Sequence, residues 1–287
     1  MSAVLAPSPP PADRSSQAWE ACLELGYERR GARTVLVRNK HRGPLVVQKS
    51  LYPEGDAPCQ NVIVHPPGGI AGGDCLQIDV SVDRGASVQL TTPGATKWYR
   101  SASAVASQRV RMGVAAGSVL EWLPQENVVF DGAVAHASIR VDLAPGARYL
   151  GWDVVCLGRT ASGERFTRGA FSQDVELRSC GELVWAERAA LRGGARLLQS
   201  RIGLRDLPVF GTFIAAGVRI DDDVLGHCRA TTAQDGEGAV TRIGAVTLAR
   251  YRGTSTASAR QYFVGLWRVL RPATVGCAPR LPRLWNT

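Results

Sequence analysis

Four stretches of the chain repeat one pattern, in which apolar residues at every second position lead to a short turn with glycine and then to a second apolar run. They are Ile78, Val80 and Val82 before Gly85, with Val88 and Leu90 after it; Val110, Met112 and Val114 before Gly117, then Val119 and Trp122; Ile139, Val141 and Leu143 before Gly146, then Tyr149 and Trp152; and Val175 and Leu177 before Gly181, then Leu183 and Trp185. Period-two alternation marks half-buried strands, and a turn residue at each reversal predicts a pair of strands in each stretch. The marker glycines are 32, 29 and 35 residues apart. A unit recurring at that period predicts stacked layers of a solenoid-like, all-β structure in which each layer seals the apolar face of the next. A sandwich of irregular hairpins is the other architecture that the pattern allows.

Further strands are predicted over Ala21 to Glu28, Thr34 to Asn39 and Leu45 to Ser50, punctuated by Gly31 and by Gly43-Pro44. Near the C-terminus, Ala259, Tyr262, Phe263, Leu266, Trp267 and Leu270 fall at helical spacing. Ser255 or Ser258 caps the start of this helix, Arg271-Pro272 marks its stop, and its apolar face is expected to cover a sheet. Residues 1–17, with four prolines before Ser16, read as a disordered leader rather than a signal peptide, and 18–287 as a single β domain. No run approaches the roughly 18 to 20 apolar residues that cross a bilayer. The expectation is a cytoplasmic protein that does not enter a membrane.

The segment His65-Pro66-Pro67-Gly68-Gly69-Ile70-Ala71-Gly72-Gly73-Asp74 confines the backbone to an unusual path ending on a carboxylate. Its glycines come in pairs and run into an alternating strand, unlike the phosphate-binding loops that open a helix. A tight connection, with glycines at positive φ or under a close backbone approach, is the plainer account. Turn chemistry alone leaves Asp74 unexplained.

The 287 residues are 45% hydrophobic, enough for a large core, and carry a net charge of +9. Placement refines that number: from Ala239 to Thr287 there are eight arginines and no Asp or Glu. They neither interleave with aromatics nor form a dense run, so an acidic partner protein fits them better than nucleic acid does. The seven cysteines are scattered, with no zinc-type spacing, and their odd number fits reduced thiols that serve mostly as small core residues.

No Gly-x-Ser-x-Gly or His-Glu-x-x-His is present, and His41, His65, His136 and His227 are isolated in sequence. Asp221-Asp222-Asp223 lacks calcium-loop spacing and reads as a solvated turn. Asp153 and Glu187 differ, because both sit in apolar strands where an unpaired charge must find a partner, water or metal. Either each forms a buried salt bridge, Glu187 with Arg159 or Arg188, or they line a polar interior passage. Sparse oxygen ligands suit a divalent cation that must be released again.

Several motifs, taken in order, resemble the UreD (also called UreH) family of urease accessory proteins. They are the glycine segment, Gly43-Pro44-Leu45-Val46-Val47-Gln48, Thr92-Pro93-Gly94-Ala95-Thr96-Lys97-Trp98-Tyr99-Arg100, Glu121-Trp122-Leu123-Pro124-Gln125-Glu126, Trp152-Asp153 through Gly158-Arg159, and Trp267-Arg268-Val269-Leu270-Arg271-Pro272. The resemblance implies a right-handed helical arrangement of β-sheets with few helices. It also implies a non-catalytic scaffold for nickel insertion into apo-urease, which binds UreF and, through it, the GTPase UreG, as a dimer of UreD–UreF heterodimers within the complex. It further implies no permanently bound cofactor, nickel in transit, and an internal tunnel whose linked positions are Asp74, Thr96, Asp153 and Glu187. The match is weaker over Ile220 to Ala239, where the family has a longer helix-forming stretch. The alternative is a β-solenoid carbohydrate-active enzyme using buried carboxylates as acid and base.

Overall fold

The computed structural model describes residues 18–282 and 285; the expected leader lies outside the described residues. The chain opens with strands β1 (Glu20–Arg30) and β2 (Arg33–Arg42), then β3 (Val46–Val47), β4 (Cys59–Val64) and β5 (Gly69–Ile70). Coils follow as β6 (Cys75–Val82), β7 (Ser87–Thr91) and β8 (Thr96–Trp98); β9 (Ala106–Val114), β10 (Val119–Trp122) and β11 (Asn127–Val129); and β12 (Val134–Leu143) with β13 (Arg148–Leu157). The remainder is β14 (Ala170–Ser179), β15 (Glu182–Arg192), α1 (Arg196–Gln199), β16 (Val209–Ala216), α2 (Asp222–Ala230), β17 (Gly236–Ile243), β18 (Val246–Gly253) and α3 (Thr256–Thr274).

The predicted repeat is real, but its strands pair differently from the expectation. In the first three repeats the turn carries the chain from one sheet into the other, and each strand pairs in parallel with its counterpart in the next repeat: β6 with β9 and β12, and β7 with β10 and β13. The turns are superposable. Ala86, Ser118 and Ala147 each donate back to Asp83, Ala115 and Ala144, and Gly85, Gly117 and Gly146 hold φ near +70° (72, 68 and 71). Only glycine takes that conformation without strain, which is why it marks the period. The fourth repeat is a true hairpin, because Cys180 and Gly181 both have positive φ (52 and 85) and so return β15 antiparallel onto β14.

Stacking yields a solenoid of about four coils. Its first wall is a seven-stranded sheet in the order β15-β14-β12-β9-β6-β1-β2, and its second runs β17-β18-β16-β13-β10-β7-β4-β3, with β5, β8 and β11 as a narrow third strip joined through β13. One apolar core fills the space between the walls and a second lies between the outer face of the second sheet and helices α2 and α3. Strand β13 is buried on both faces, which explains its near-continuous apolar run. Tyr149 and Val155 point into the first core, while Leu150, Trp152, Val154 and Cys156 point into the second.

Helix α3 buries all six residues that its spacing picked out, and Ser255 caps it by accepting a hydrogen bond from the Ser258 amide at 3.3 Å. It does not stop at Arg271-Pro272. Pro272 removes one donor, yet Val275 N–H still bonds the Arg271 carbonyl at 2.7 Å and the helix runs on to Thr274. Its Arg271, fully buried, forks between Glu54 (2.7 Å) and Glu121 (3.0 Å), and the Trp267 indole donates to Glu121 at 2.7 Å. Asp221-Asp222-Asp223 is also no solvated turn, because Asp221 caps α2 by accepting from Val224 N–H at 2.7 Å, with Asp222 and Asp223 at the positive end of the helix. All seven cysteines are free, but only Cys59, Cys156 and Cys228 are buried; Cys22 and Cys75 lie on strands with a solvated face and Cys180 in the hairpin turn.

Candidate functional site

Alternation along β13 places Asp153 on the face that looks between the walls, two residues after Gly151 and two before Val155. Facing it from the first sheet is Gln173 of β14, which donates its side-chain amide to one Asp153 oxygen. The other oxygen accepts from Asn127 Nδ2 at 2.7 Å, and Asn127 cannot turn over, because its Oδ1 accepts from the Trp98 indole at 3.0 Å. Both donors are neutral amides. Asp153 has no cationic partner among the described residues, and burial pushes its carboxyl up to about 6, against the opposing pull of those two hydrogen bonds.

A cavity of about 150 Å³ opens on Asp153 and is lined also by Thr96, Asn127, Gln173, Gln125 and His65. Thr96 reaches it because β8 and β11 are in register, Thr96 opposite Asn127 and Asn127 opposite Val155. A second, narrower space of about 30 Å³ shares Asp153 and Gln173 with the first and continues to Thr212 and Glu187. The two meet at Asp153. Across the second sheet, Asp153, Thr212 and Arg250 form one cross-strand row. Glu187 reaches that row from the opposite wall, accepting from Thr212 Oγ1 at 3.2 Å and from Arg250 at 3.1 Å.

Glu187 therefore does find a salt bridge, but with Arg250 and not with the expected Arg159 or Arg188, which pair with Glu164 and Asp174. Nor is β15 an apolar buried strand. It is the exposed edge of the first sheet, so the pair sits at the rim of the second space.

Asp74 lies apart from the other three. Its two oxygens accept from the Trp19 and Ala71 amides at 2.8 and 2.9 Å, in a separate cleft with Tyr99 and Pro67. The carboxylate ties the N-terminal entry to the glycine segment. That segment is the tight connection expected of it: Gly68 and Gly73 have φ of 72° and 94°, and a side chain at Gly69 would meet the Tyr99 ring at 2.4 Å. Among the described residues no three His, Cys, Asp or Glu side chains converge to hold a metal ion. The arrangement is a string of oxygen donors, not a cage.

The UreD urease accessory protein family matches residues 20–286. The chain is 48% identical over 269 residues to the urease accessory protein UreD of Azoarcus sp. strain BH72, covering 94% of each chain. To the UreD of Nitrosococcus oceani it is 47% identical over 280 residues, 97% of this chain and 94% of the relative, and to that of Pseudomonas aeruginosa PAO1 47% over 271 residues, 94% and 96%. The chain belongs to the UreD family. The order of motifs that suggested it is explained by the fold: in this UreD family member the Glu121 and Arg271 motifs meet in one buried cluster, and the Thr96 and Asp153 motifs meet at one cavity.

Sequence reasoning missed Asn127, Gln173, Thr212 and Arg250. The available signal was parity, since Gln173 occupies the inward position between Phe171 and Val175, where the alternation calls for an apolar residue. The acid-free tail of the chain proves acid-free only in sequence. Arg242, Arg250, Arg252 and Arg271 meet Asp222, Glu187, Glu237, and Glu54 with Glu121. Arg260 donates to Gln125, Arg280 donates to the Pro53 carbonyl at 2.7 Å, and Arg283 lies outside the described residues. Arg268 is exposed on α3. No helix among the described residues is long and apolar enough to cross a membrane.

Proposed function

We propose that this chain is a non-catalytic urease accessory protein that passes nickel to apo-urease through the space between its two walls. Asp153 carries the reading: an interior carboxylate held by two amides, with no neutralising cation, gives the cavity an uncompensated negative field. Such a group suits a cargo of opposite charge. Thr96 supplies an uncharged oxygen before it and Glu187 a second carboxylate beyond it, and this spacing favours passage over storage. Asp74 has a positioning part, because it holds the segment from which His65 projects. UreF, with UreG recruited through it, and apo-urease are the partners in this reading, within a dimer of UreD–UreF heterodimers in the cytoplasm, with no nucleic acid involved and no resident cofactor.

A carbohydrate-active enzyme is the weaker reading. The 150 Å³ cavity is well under the roughly 300 to 1,000 Å³ of ordinary ligand pockets and lies between the walls of the solenoid, where a glycan chain has no bed. The test is the nickel content of urease activated with Asp153→Ala or Glu187→Ala, read beside each variant's melting temperature and its recovery with partners. Passage predicts nickel-poor urease from folded, partner-competent variants. Full nickel loading would refute it.

A further inference from the structure

Apart from His65, the atoms along the passage that can ligate a cation are oxygens, and this raises a problem of selection. Carboxylate, amide and hydroxyl oxygens are the ligands that magnesium, calcium and manganese favour, whereas nickel, copper and zinc gain most from an imidazole nitrogen. A conduit whose ligands were Thr96, Asp153 and Glu187 alone would admit the hard ions at least as readily as nickel.

One imidazole lies on the cavity wall. His65 lines the same space as Thr96 and Asp153, and its Nε2 is buried with no hydrogen-bond partner among the described residues. Buried polar atoms are satisfied in the great majority of cases, so an orphaned nitrogen calls for water or an ion. Burial pushes the imidazole below its ordinary titration range, although the nearby Asp74 charge pulls it back. The neutral ring that burial favours carries a lone pair on one of its two nitrogens.

The mounting of this ring accounts for the glycine segment. His65 follows the last residue of β4, and its carbonyl accepts from the Gly68 amide at 2.8 Å in a turn that Gly68 closes at positive φ. Pro66 and Pro67 stiffen that turn, and Asp74 pins its far end through the Ala71 amide at 2.9 Å. Such a rigid mount fixes a side chain that makes no polar contact of its own at Nε2.

We infer that His65 is the specificity-determining nitrogen donor of the passage, giving borderline cations such as nickel an advantage over hard cations at the cavity that Asp153 makes negative. The inference rests on the passage reading and adds to it the class of ion selected. With no three ligating side chains converging, the ion keeps part of its water shell and binds weakly enough to move on.

The experiment uses the purified full chain labelled with ¹⁵N-histidine and titrated with Ni²⁺ alone, then with Mg²⁺ alone. Paramagnetic Ni²⁺ should broaden the His65 imidazole signal, which the His65→Asn variant identifies. Mg²⁺ should leave that signal unchanged, and Asp153→Asn should require several-fold more nickel for the same broadening. In urease activation, His65→Asn replaces the nitrogen donor with an oxygen, so nickel delivery should fall several-fold and become sensitive to excess Mg²⁺. If Ni²⁺ leaves the His65 signal untouched while Asp153→Asn still lowers delivery, water alone satisfies the ring; the passage then stands and the inference falls. If neither variant alters delivery, the passage reading itself is wrong. Should His65→Asn fold poorly, the signal in the unsubstituted chain still decides the matter.

Discussion

Arg250 of the second sheet lies 3.1 Å from Glu187 of the first, so the carboxylate at the rim of the passage already holds a positive charge. In the proposed route, a cation arriving from Asp153 would have to displace that guanidinium. Because Arg250 is 55% and Glu187 22% exposed, the pair itself contributes only about 0 to 1 kcal/mol to folding. Arg250→Gln should therefore leave the melting temperature nearly unchanged while raising nickel uptake by the purified chain, and Glu187→Gln should lower uptake. Equilibrium dialysis against nickel checks both, and equal uptake by all three proteins would remove Arg250 from the route.

Asp153 gives a pH signature. Its carboxyl is pushed up to about 6 in the folded chain, whereas an unfolded aspartate titrates near 3.9. The folded state thus holds the proton more tightly, so the stability it contributes is complete below about 4 and is lost as pH rises to about 6. Asp153→Asn should flatten that segment of the melting temperature profile. Nickel uptake by the unsubstituted chain should move the opposite way, falling as pH drops through about 6 and the carboxyl loses its charge.

Arg271 is a structural charge. Replacing it with Ala strands Glu121, which is itself fully buried, and breaking a buried pair in this way costs roughly 3 to 5 kcal/mol. Lys at the same position should rescue only part of the loss, because one ammonium cannot fork to Glu54 and Glu121 as the guanidinium does. Urea unfolding monitored by tryptophan fluorescence reads both variants.

The basic C-terminal region divides into paired and exposed arginines, and the two groups should respond differently. Arg268→Glu, on the exposed face of α3, should reduce recovery of UreF or urease subunits at low salt without changing the melting temperature. Arg242→Glu breaks the contacts to Asp222 and the Ile220 carbonyl at 2.7 Å and should lower the melting temperature first. Unchanged recovery with Arg268→Glu at low salt would show that this face is not an interface.

The coils were legible in the sequence because each depends on local rules, alternation in the strands and a positive-φ glycine in the turn. How those strands pair was not, since an alternating run beside a glycine turn reads alike whether the chain folds back on itself or crosses to another sheet. At the site, Asp153 stood out as a charge within an apolar run, but what surrounds it comes from strands 20 and 26 residues away. Arg250 is 63 residues from Glu187, whereas the arginines nearest in sequence are taken by Glu164 and Asp174. Charge partners follow register across sheets, and register is a property of the whole stack.

The same stack limits how the proposed route could be controlled. Its walls are continuous ladders from β15 to β2 and from β17 to β3, spaced by packed side chains roughly 10 Å apart, so neither wall can part without breaking rows of hydrogen bonds. If nickel passes between these walls as proposed, it does so by movements of single side chains and not by the walls parting. On the proposed route, the group placed to open or close the way at the rim is the Arg250–Glu187 pair, both partly exposed side chains.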